Sequence, residues 1–382
     1  MPFASALSEH PVAALATGEV TGAVLEAVGA YPDLAVVTTT HAHAGALEDI
    51  VTTVTAVLHP LVVIGCASEA VVGTGRQVEG TAAINLWAAR VGPLAPLALT
   101  ATQLTEDSWH FAGWPEPLPF TPSALVLVVD APTFPVEPFL HWLHARHPEI
   151  PVIGGASSGG PGVGGSRLIV GNRLVSAGAT GVLLGGGVDV ETVVSQGARP
   201  YGQALTVTRA ERNLIYEVAG TPAMECLVQQ IGDHLGVHDV SRLGTDGVLI
   251  GRLMHEGVDQ PGPGDYLVRA VLGVDRRSGA IAVRDRVPVG STIRFHLRDG
   301  RSADTELMAL LDGRNADGAL LFPCNARGAQ LFGIPHHDVL ALREAVGAVP
   351  VGGFAAAGEI GPVGGQNFLH SHSASLSLFR DR

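Results

Sequence analysis

Three segments of the chain share one order of apolar and glycine-rich stretches. Each segment starts with an apolar run, continues through a stretch with helical spacing, and ends in a second apolar run that breaks into glycines. Buried parallel strands show nearly continuous apolar runs, and glycine clusters mark the turns that follow them. The segments begin at LAVVTTTHAHAG, ALVLVVDAP and GALLFPCNARG and end at LVVIGCASEAVVGTG, PVIGGASSGGPGVGG and PVGGFAAAGEIGPVGG. The pattern predicts a strand, helix, strand and glycine-loop repeat that occurs three times.

The loop after the first strand carries different chemistry in each repeat. It holds His41 and His43 in the first, Asp130 in the second and Cys324 in the third. Ligands of open α/β sheets bind at the carboxyl ends of the strands. We therefore expect these side chains and the glycine loops to meet at one sheet edge, although a single glycine pair more often only tightens packing between strands.

The fold class expected from these patterns is α/β, with two related lobes built from the repeated units and additional antiparallel strands. A chain of 382 residues is long enough for two domains. We predict an amphipathic helix over residues 11–30 and a bridging helix within ERNLIYEVAGTPAMECLVQQIGDHL that stops and restarts at Gly220. The predicted domains are residues 30–220 and 221–382.

The end of the chain predicts one long strand over residues 368–378. Phe368, His370 and His372 alternate there with Leu369 and a series of serines, so one face carries histidines that run into aliphatic residues. We expect both histidines to point toward the packed side of the sheet. Half-buried structural histidines and a role in a pocket are both compatible with this pattern.

Composition excludes several classes of protein. All 23 basic residues are Arg, and the formal net charge is −13. Without lysine the chain has no phosphate-binding GK[ST] loop, Schiff-base lysine, kinase lysine or Ser-Lys dyad. An acidic chain without a basic stretch also lacks the electrostatic signature of nucleic-acid binding.

The sequence predicts a cytoplasmic protein that binds no membrane. It has no apolar run of membrane-spanning length and no basic, apolar N-terminal signal. The cysteines, Cys66, Cys226 and Cys324, are too few for a disulfide framework. The histidine spacings match no zinc motif, and the glycine loops match no dinucleotide motif, so we expect no metal and no cofactor.

The C-terminal half of the chain resembles the FIST family. The similarity lies in GTPAMECL, FPCNARG, LFG and VPVGGFAAAGEIGPVGGQNFLHSHSASLSLF, while GCAS and GGASSGG resemble the N-terminal half of the family. The resemblance implies a sensory module of signal transduction that binds a small ligand, such as an amino acid. Where the family has Cys-x-Gly-Arg-Gly, this chain has Ala326 in place of the first glycine.

Cys324 and its neighbours are the first candidate site. A guanidinium and free backbone N–H groups near Cys324 would favour the thiolate, and Arg327 could hold the carboxylate of a ligand through two hydrogen bonds. A buried structural thiol is the other interpretation of Cys324.

Glu359 is the second candidate, because glycines on both sides let the backbone present its carboxylate toward a cavity. Arg327 and Glu359 together would suit the two charges of an amino acid. The serines of the glycine loops offer further polar contacts. The expected ligand-binding residues are Cys324, Asn325, Arg327, Gly328, Gly353, Gly358, Glu359, Gly361, Asn367, His370, Ser68, Ser157 and Ser158.

The leading hypothesis is therefore a sensory protein that binds an amino acid or a small organic acid and acts on a downstream signalling protein. The oligomeric state stays open. The alternative is an enzyme, a thiol-dependent amidohydrolase or acyl transferase with Cys324 as nucleophile and His370 or His372 as base. The sequence favours the binding protein over the enzyme.

Overall fold

The structure, a computed structural model, describes residues 2–106, 108–160, 166–235, 248–258 and 260–382. The chain forms two compact units: unit 1 comprises Met1–Val194 and Leu311–Arg382, and unit 2 comprises Ser195–Leu310. The α/β class with two lobes is confirmed, because both units combine sheets with helices. Unit 2 is one continuous segment, and the predicted domain boundary at 220/221 falls inside it.

The helices begin and end as follows: α1 Ala13–Val28, a 3₁₀ helix His41–Ala46, α2 Leu47–Leu58, α3 Val136–His144, α4 Ala223–Leu235, α5 Gly300–Leu311, α6 Ala329–Phe332 and α7 His337–Val346. Helix α1 confirms the amphipathic helix expected over 11–30. Its residues Ala16, Val20 and Val24 recur every four positions and are buried against the neighbouring sheet. Among the described residues, no helix combines the length and apolar character that crossing a membrane requires.

The strands of unit 1 are β1 Phe3–Ser8, β2 Leu34–Thr40, β3 Val62–Ser68, β4 Ala70–Gly73, β5 Arg76–Glu79, β6 Ile84–Ala89, β7 Leu94–Thr105, β8 Ser108–Ala112, β9 Ala124–Val129, β10 Val152–Ser157, β11 Leu168–Val170, β12 Arg173–Val175, β13 Ala179–Leu184 and β14 Val188–Ser195. The strands of unit 2 are β15 Arg199–Glu211, β16 Leu214–Val218, β17 Thr221–Pro222, β18 Val248–Leu253, β19 Tyr266–Asp275, β20 Ala280–Val283 and β21 Thr292–Leu297. The chain then returns to unit 1, which continues with β22 Gly318–Pro323, β23 Val351–Phe354, β24 Ala356–Val363, β25 Gln366–His370 and β26 Ala374–Asp381.

Each of the three repeats forms a parallel strand pair joined by helix. Strands β2 and β3 flank α2, β9 and β10 flank α3, and β22 and β23 flank α6 and α7. The pairs lie in three different sheets of unit 1, with strand orders β1-β6-β2-β3-β11-β12, β25-β24-β10-β9-β13-β7-β8 and β14-β26-β22-β23-β4-β5. All three repeats thus belong to unit 1.

The repeats exchange strands in a cycle. The second strand of each pair bonds antiparallel to a strand that follows the parallel pair of another repeat: β3 to β11 from the second, β10 to β24 from the third, and β23 to β4 from the first. Every repeat therefore both gives and receives one strand. This arrangement brings the carboxyl ends of all three pairs together.

A glycine at the same place in each repeat makes the close strand contact possible. Gly65, Gly154 and Gly353 have φ of +150°, +151° and +143°, where side chains are rarely tolerated. A Cβ at these glycines would lie 1.8, 1.8 and 1.9 Å from the carbonyl oxygen of the residue opposite on the first strand. No side chain fits in that space.

The register of these glycines identifies the equivalent strand ends. The facing residues are Val37, Leu127 and Leu321. Counting three residues onward from each gives Thr40, Asp130 and Cys324. In the first repeat the equivalent of Asp130 and Cys324 is thus Thr40, whereas the sequence suggested His41 and His43, which lie in the following 3₁₀ helix.

Two predicted elements are wrong. The long terminal strand is two strands, β25 and β26, because the chain turns at His372, where φ is +66°. The serines beyond the turn, which the pattern placed opposite the histidine face, are also buried: Ser373, Ser375 and Ser377. The first part of the predicted bridging helix is strand β16, and only α4 is helical.

Unit 2 is a ring of antiparallel strands around an apolar core. Successive pairings run β15, β21, β18, β19, β20, β16 and back to β15. Alternate residues of β21, Ile293, Phe295 and Leu297, belong to the core, which also includes Leu227 of helix α4. The residues between them, Arg294 and His296, face away from that core.

Candidate functional site

The carboxyl ends of the three parallel pairs meet at one place in unit 1, which we call the repeat junction. Its residues are Ser68, Glu69, Ser157, Ser158, Cys324, Asn325, Ala355, Glu359 and Ser373, and contacts between repeats connect them. In the third repeat, Cys324 bridges to Ala356 as a parallel partner, and the N–H of Asn325 donates to the carbonyl of Ala356 at 2.9 Å.

Serine hydroxyls hold the three repeats together at the junction. The hydroxyls of Ser68 and Ser158 lie 2.7 Å apart, and each lies 2.7 Å from the carbonyl oxygen of Ala355 in the third repeat. The hydroxyl of Ser157 donates to the carbonyl of Ala67 at 2.8 Å. Since a hydroxyl has one proton to donate, these serines are occupied by bonds within the protein. The structure thus brings the predicted serines to the junction, where they form hydrogen bonds between repeats.

The thiol of Cys324 and the carboxyl of Glu359 form the buried centre of the junction. Glu359 is fully buried, and its Oε2 accepts hydrogen bonds from the N–H and the hydroxyl of Ser373 at 2.9 and 2.7 Å. Its side chain lies beside the side chain of Cys324, which is 5% exposed. Backbone N–H groups of Ala326 and His372 point at the sulfur of Cys324.

Burial sets the protonation of both groups. It raises the pKa of Glu359 to about 7, and the hydrogen bonds from Ser373 offset only part of that effect. Burial, together with the nearby charge of Glu359, raises the pKa of Cys324 to about 12. The expected thiolate is therefore replaced by a neutral thiol, because burial and a neighbouring carboxylate outweigh the two N–H groups.

Asn325 and Glu69 form the exposed side of the junction. The amide Nδ2 of Asn325 donates to Oε2 of Glu69 at 3.1 Å, and the sulfur of Cys324 lies 3.6 Å from Oδ1 of Asn325. Both Asn325 and Glu69 are exposed. These two side chains therefore face solvent next to the buried pair.

Arg327 lies elsewhere in this loop and has a different partner from the one expected. Its guanidinium makes two hydrogen bonds of 2.8 Å to the carboxylate of Asp338, and neither side chain is exposed. Nδ1 of His337 lies 3.1 Å from the same carboxylate, and the ring of Phe332 stacks on His337. The guanidinium therefore fixes the loop to helix α7, and its two parallel bonds serve Asp338.

The other predicted residues have packing roles. The amide of Asn367 bonds to the backbone of Val152 and Ile150, both at 2.8 Å. Nε2 of His370 lies 2.9 Å from the carbonyl of Gly361, so this ring nitrogen bonds within the β24–β25 hairpin.

Neighbouring side chains approach the backbone closely at Gly328, Gly358 and Gly361. A Cβ would lie 2.9 Å from the Glu79 carboxylate at Gly328, 3.1 Å from Leu369 at Gly358 and 2.4 Å from Val194 at Gly361. The sequence alone indicated Cys324, Asn325, Glu359, Ser68, Ser157 and Ser158 but missed Glu69, Ser373 and Asp338. The alternation of serines in β26 was the one available signal for Ser373.

Known proteins are similar to this chain over most of its length. The FIST N domain matches residues 33–221, and the FIST C domain matches residues 223–362. The chain is 34% identical over 367 residues to uncharacterized protein Rv0628c of Mycobacterium tuberculosis, with 93% of each chain covered. It is 36% identical over 370 residues to uncharacterized protein Mb0898c of Mycobacterium bovis, with 93% of this chain and 92% of the relative covered.

Proposed function

Because this chain belongs to the FIST family, whose domains are sensory modules of signal transduction that bind small ligands, we propose that it is a small-ligand sensor with its ligand site at the repeat junction. The observation that supports this site is the buried Glu359 carboxyl against Cys324, at the point where three strand ends meet. Buried titratable groups with a shifted pKa at such a place are typical of functional sites.

We propose an amino acid as the ligand, in preference to a simple organic acid. The junction offers two carboxyl groups, Glu359 and Glu69, to an ammonium group. The guanidinium that could have received a second carboxylate is bound to Asp338. The carboxylate of the ligand would instead be held by the amide of Asn325, which already donates to Glu69. An amine-bearing ligand therefore suits the charges better than an acid alone.

Ligand binding would be transmitted through the cycle of repeats. The junction joins all three repeats through the hydroxyls of Ser68, Ser157 and Ser158. A ligand that changes one strand end therefore affects strands in three sheets, and we propose that a downstream signalling protein responds to this change. We propose a cytoplasmic location as well, because the three cysteines are free thiols, as expected in a reducing compartment.

A thiol enzyme is the second candidate. Two backbone N–H groups directed at the sulfur of Cys324 and the adjacent carboxyl of Glu359 are features that such an enzyme would use. Glu359, in place of His370, would then be the base. The neutral, buried thiol favours the sensor over this enzyme.

A thermal-shift screen against amino acids, small organic acids and their amides tests the proposal. Since a ligand at a hundredfold excess over Kd stabilises a protein by about 2.7 kcal/mol, binding should raise the melting temperature visibly. We expect the shift to persist in Cys324→Ser and to vanish in Glu359→Gln. Glu217→Gln, which changes a partly exposed carboxylate of unit 2, is the matched control and should retain the shift.

Two results would contradict the proposal. A shift that survives in Glu359→Gln would place the ligand elsewhere. Absence of any shift, together with rapid alkylation of Cys324 and covalent acylation by activated esters or amides, would favour the thiol enzyme.

A further inference from the structure

Unit 2 contains a cavity of about 590 Å³ that the sensor site in unit 1 does not use. It lies between helix α5, the start of β15, the loop 262–264 and strands β19 and β21. Binding sites for small molecules commonly have volumes of roughly 300–1,000 Å³, with mostly apolar walls and a few fixed polar groups. Apolar walls come from Ala198, Pro263, Tyr266 and Val268.

His296 provides a hydrogen-bond acceptor in the wall of the cavity. Its ring lies against Gly251, where a Cβ would be only 2.3 Å from Cε1, and edge-on to the ring of Tyr266 at 5.1 Å. Nδ1 lies 3.0 Å from the carbonyl oxygen of Arg294, so this nitrogen carries the proton. Burial lowers the pKa of His296 to about 4, so the ring is neutral at pH 7 and Nε2 is an acceptor. Within the described residues, Nε2 has no hydrogen-bond partner.

The other buried polar groups of the wall are held in place by the protein. The amide of Gln196 donates to the carbonyl of Tyr266 and accepts from the N–H of Val268. The carboxylate of Glu306 accepts from the hydroxyl of Ser195 and the N–H of Gly197. These bonds fix the shape of the cavity before a ligand enters, which reduces the entropic cost of binding.

The exposed rim of the cavity carries cationic side chains. The carboxylate of Asp299 accepts from the N–H and hydroxyl of Ser302 at 2.7 and 2.9 Å, so it caps helix α5. Arg199 lies 4.0 Å from the same carboxylate. Arg301 is exposed, and in the part of the chain that the structure describes no carboxylate pairs with it. Arg301 can therefore receive an anionic group at the rim without breaking an ion pair.

We propose that this cavity is a second binding site, for a small apolar or aromatic carboxylic acid that carries a hydroxyl or N–H group at its far end. The apolar body fills the cavity, the hydroxyl or N–H donates to Nε2 of His296, and the carboxylate contacts Arg301 and Arg199 at the rim. The site is independent of the repeat junction, because every residue in this argument lies in unit 2.

The proposed cavity site can be tested by calorimetric titration of the full chain with small aromatic compounds that carry a hydroxyl at one end and a carboxylate at the other. We expect 4-hydroxyphenylacetate to bind about tenfold more tightly than phenylacetate, the gain of one hydrogen bond to a buried acceptor. It should also bind more tightly than 4-hydroxyphenylethanol, which lacks the carboxylate. In His296→Phe, which keeps a flat ring against Gly251, the preference for the hydroxyl should disappear.

Variants of helix α5 and of the rim test probe binding in the cavity without changing His296. Thr305→Trp, at an exposed lining position, should block the cavity and abolish binding of 4-hydroxyphenylacetate. Arg301→Ala with Arg199→Ala should remove the preference for the acid over the alcohol. Arg209→Ala, which changes an exposed arginine of the same strand β15 outside the cavity, is the matched control and should bind normally.

The cavity site in unit 2 and the ligand site at the repeat junction can be disproved by different results. Undiminished binding in Thr305→Trp, or no binding of any probe at millimolar concentration, overturns the cavity site and leaves the repeat junction unaffected. Loss of probe binding in Glu359→Gln, with its fold intact, would also overturn the cavity site.

Discussion

The guanidinium of Arg327 and the carboxylate of Asp338 form a fully buried ion pair with two hydrogen bonds of 2.8 Å. The pair connects the Cys324 loop to helix α7. Burial would raise the pKa of Asp338, but the positive charge of Arg327 and the hydrogen bonds from His337 and Arg327 together hold the pKa below its usual value. The pair therefore positions the junction, and each partner depends on the other to remain charged.

Removing one partner should strongly destabilise the protein. Arg327→Ala or Asp338→Asn leaves a buried group without its counter-ion, so we expect a loss of about 3–5 kcal/mol in the free energy of unfolding, measured by urea denaturation. The double variant Arg327→Met, Asp338→Leu should recover part of this loss. Arg209→Ala breaks an exposed pair with Glu217 and should cost at most about 1 kcal/mol. Equal losses in the buried and exposed pairs would contradict this interpretation.

Glu359 should make stability depend on pH in one direction. Burial raises the pKa of Glu359 to about 7 in the folded protein, above its ordinary value of 4.5, so the folded state binds the proton more tightly than the unfolded state. The contribution of Glu359 to the free energy of unfolding is roughly 3 kcal/mol. It is fully present below pH 4.5 and is lost as pH rises through 7. Glu359→Gln should lose this dependence, measured as the difference between wild-type and variant unfolding curves from pH 4.5 to 8. Parallel curves would show that Glu359 titrates normally.

Cys324 should react slowly with alkylating reagents. Because its pKa is about 12, the thiolate fraction at pH 8 is about 10⁻⁴, and we expect iodoacetamide to react about a thousandfold more slowly than with an unfolded cysteine. Peptide mapping by mass spectrometry separates Cys324 from Cys66 and Cys226. Glu359→Gln should speed the reaction, because it removes a charge that opposes the thiolate. A fast reaction in the wild-type protein would indicate an activated nucleophile.

The repeated glycines should tolerate no side chain. Gly353→Ala places a Cβ 1.9 Å from a carbonyl oxygen at φ of +143°, so we expect a loss of more than about 4 kcal/mol in the free energy of unfolding. Gly154→Ala should behave in the same way. Gly22→Ala is the control, since no atom lies within 4 Å of that Cβ in helix α1. It should stabilise the protein by about 0.5–1 kcal/mol.

Local patterns in the sequence were sufficient to identify the repeats and most of the junction. Apolar runs that break into glycines predicted the parallel strand pairs, because such runs are buried on both faces and need a turn after them. The same patterns located Cys324 and the serines at strand ends. They could not show that the serine hydroxyls bond between repeats, since those bonds join Ser68 to a carbonyl 287 residues away.

Only the tertiary structure decided which group each polar side chain pairs with. A sequence shows that Arg327 is cationic, but its bidentate bond to Asp338 depends on how helix α7 packs. The thiol state of Cys324 and the acceptor state of His296 both follow from burial, which local residue patterns do not report. The sequence by itself therefore determined the repeated strand pairs and which reactive side chains lie at their ends, whereas the long-range packing of strands and helices decided which groups are charged, which already have hydrogen-bond partners and where a cavity remains.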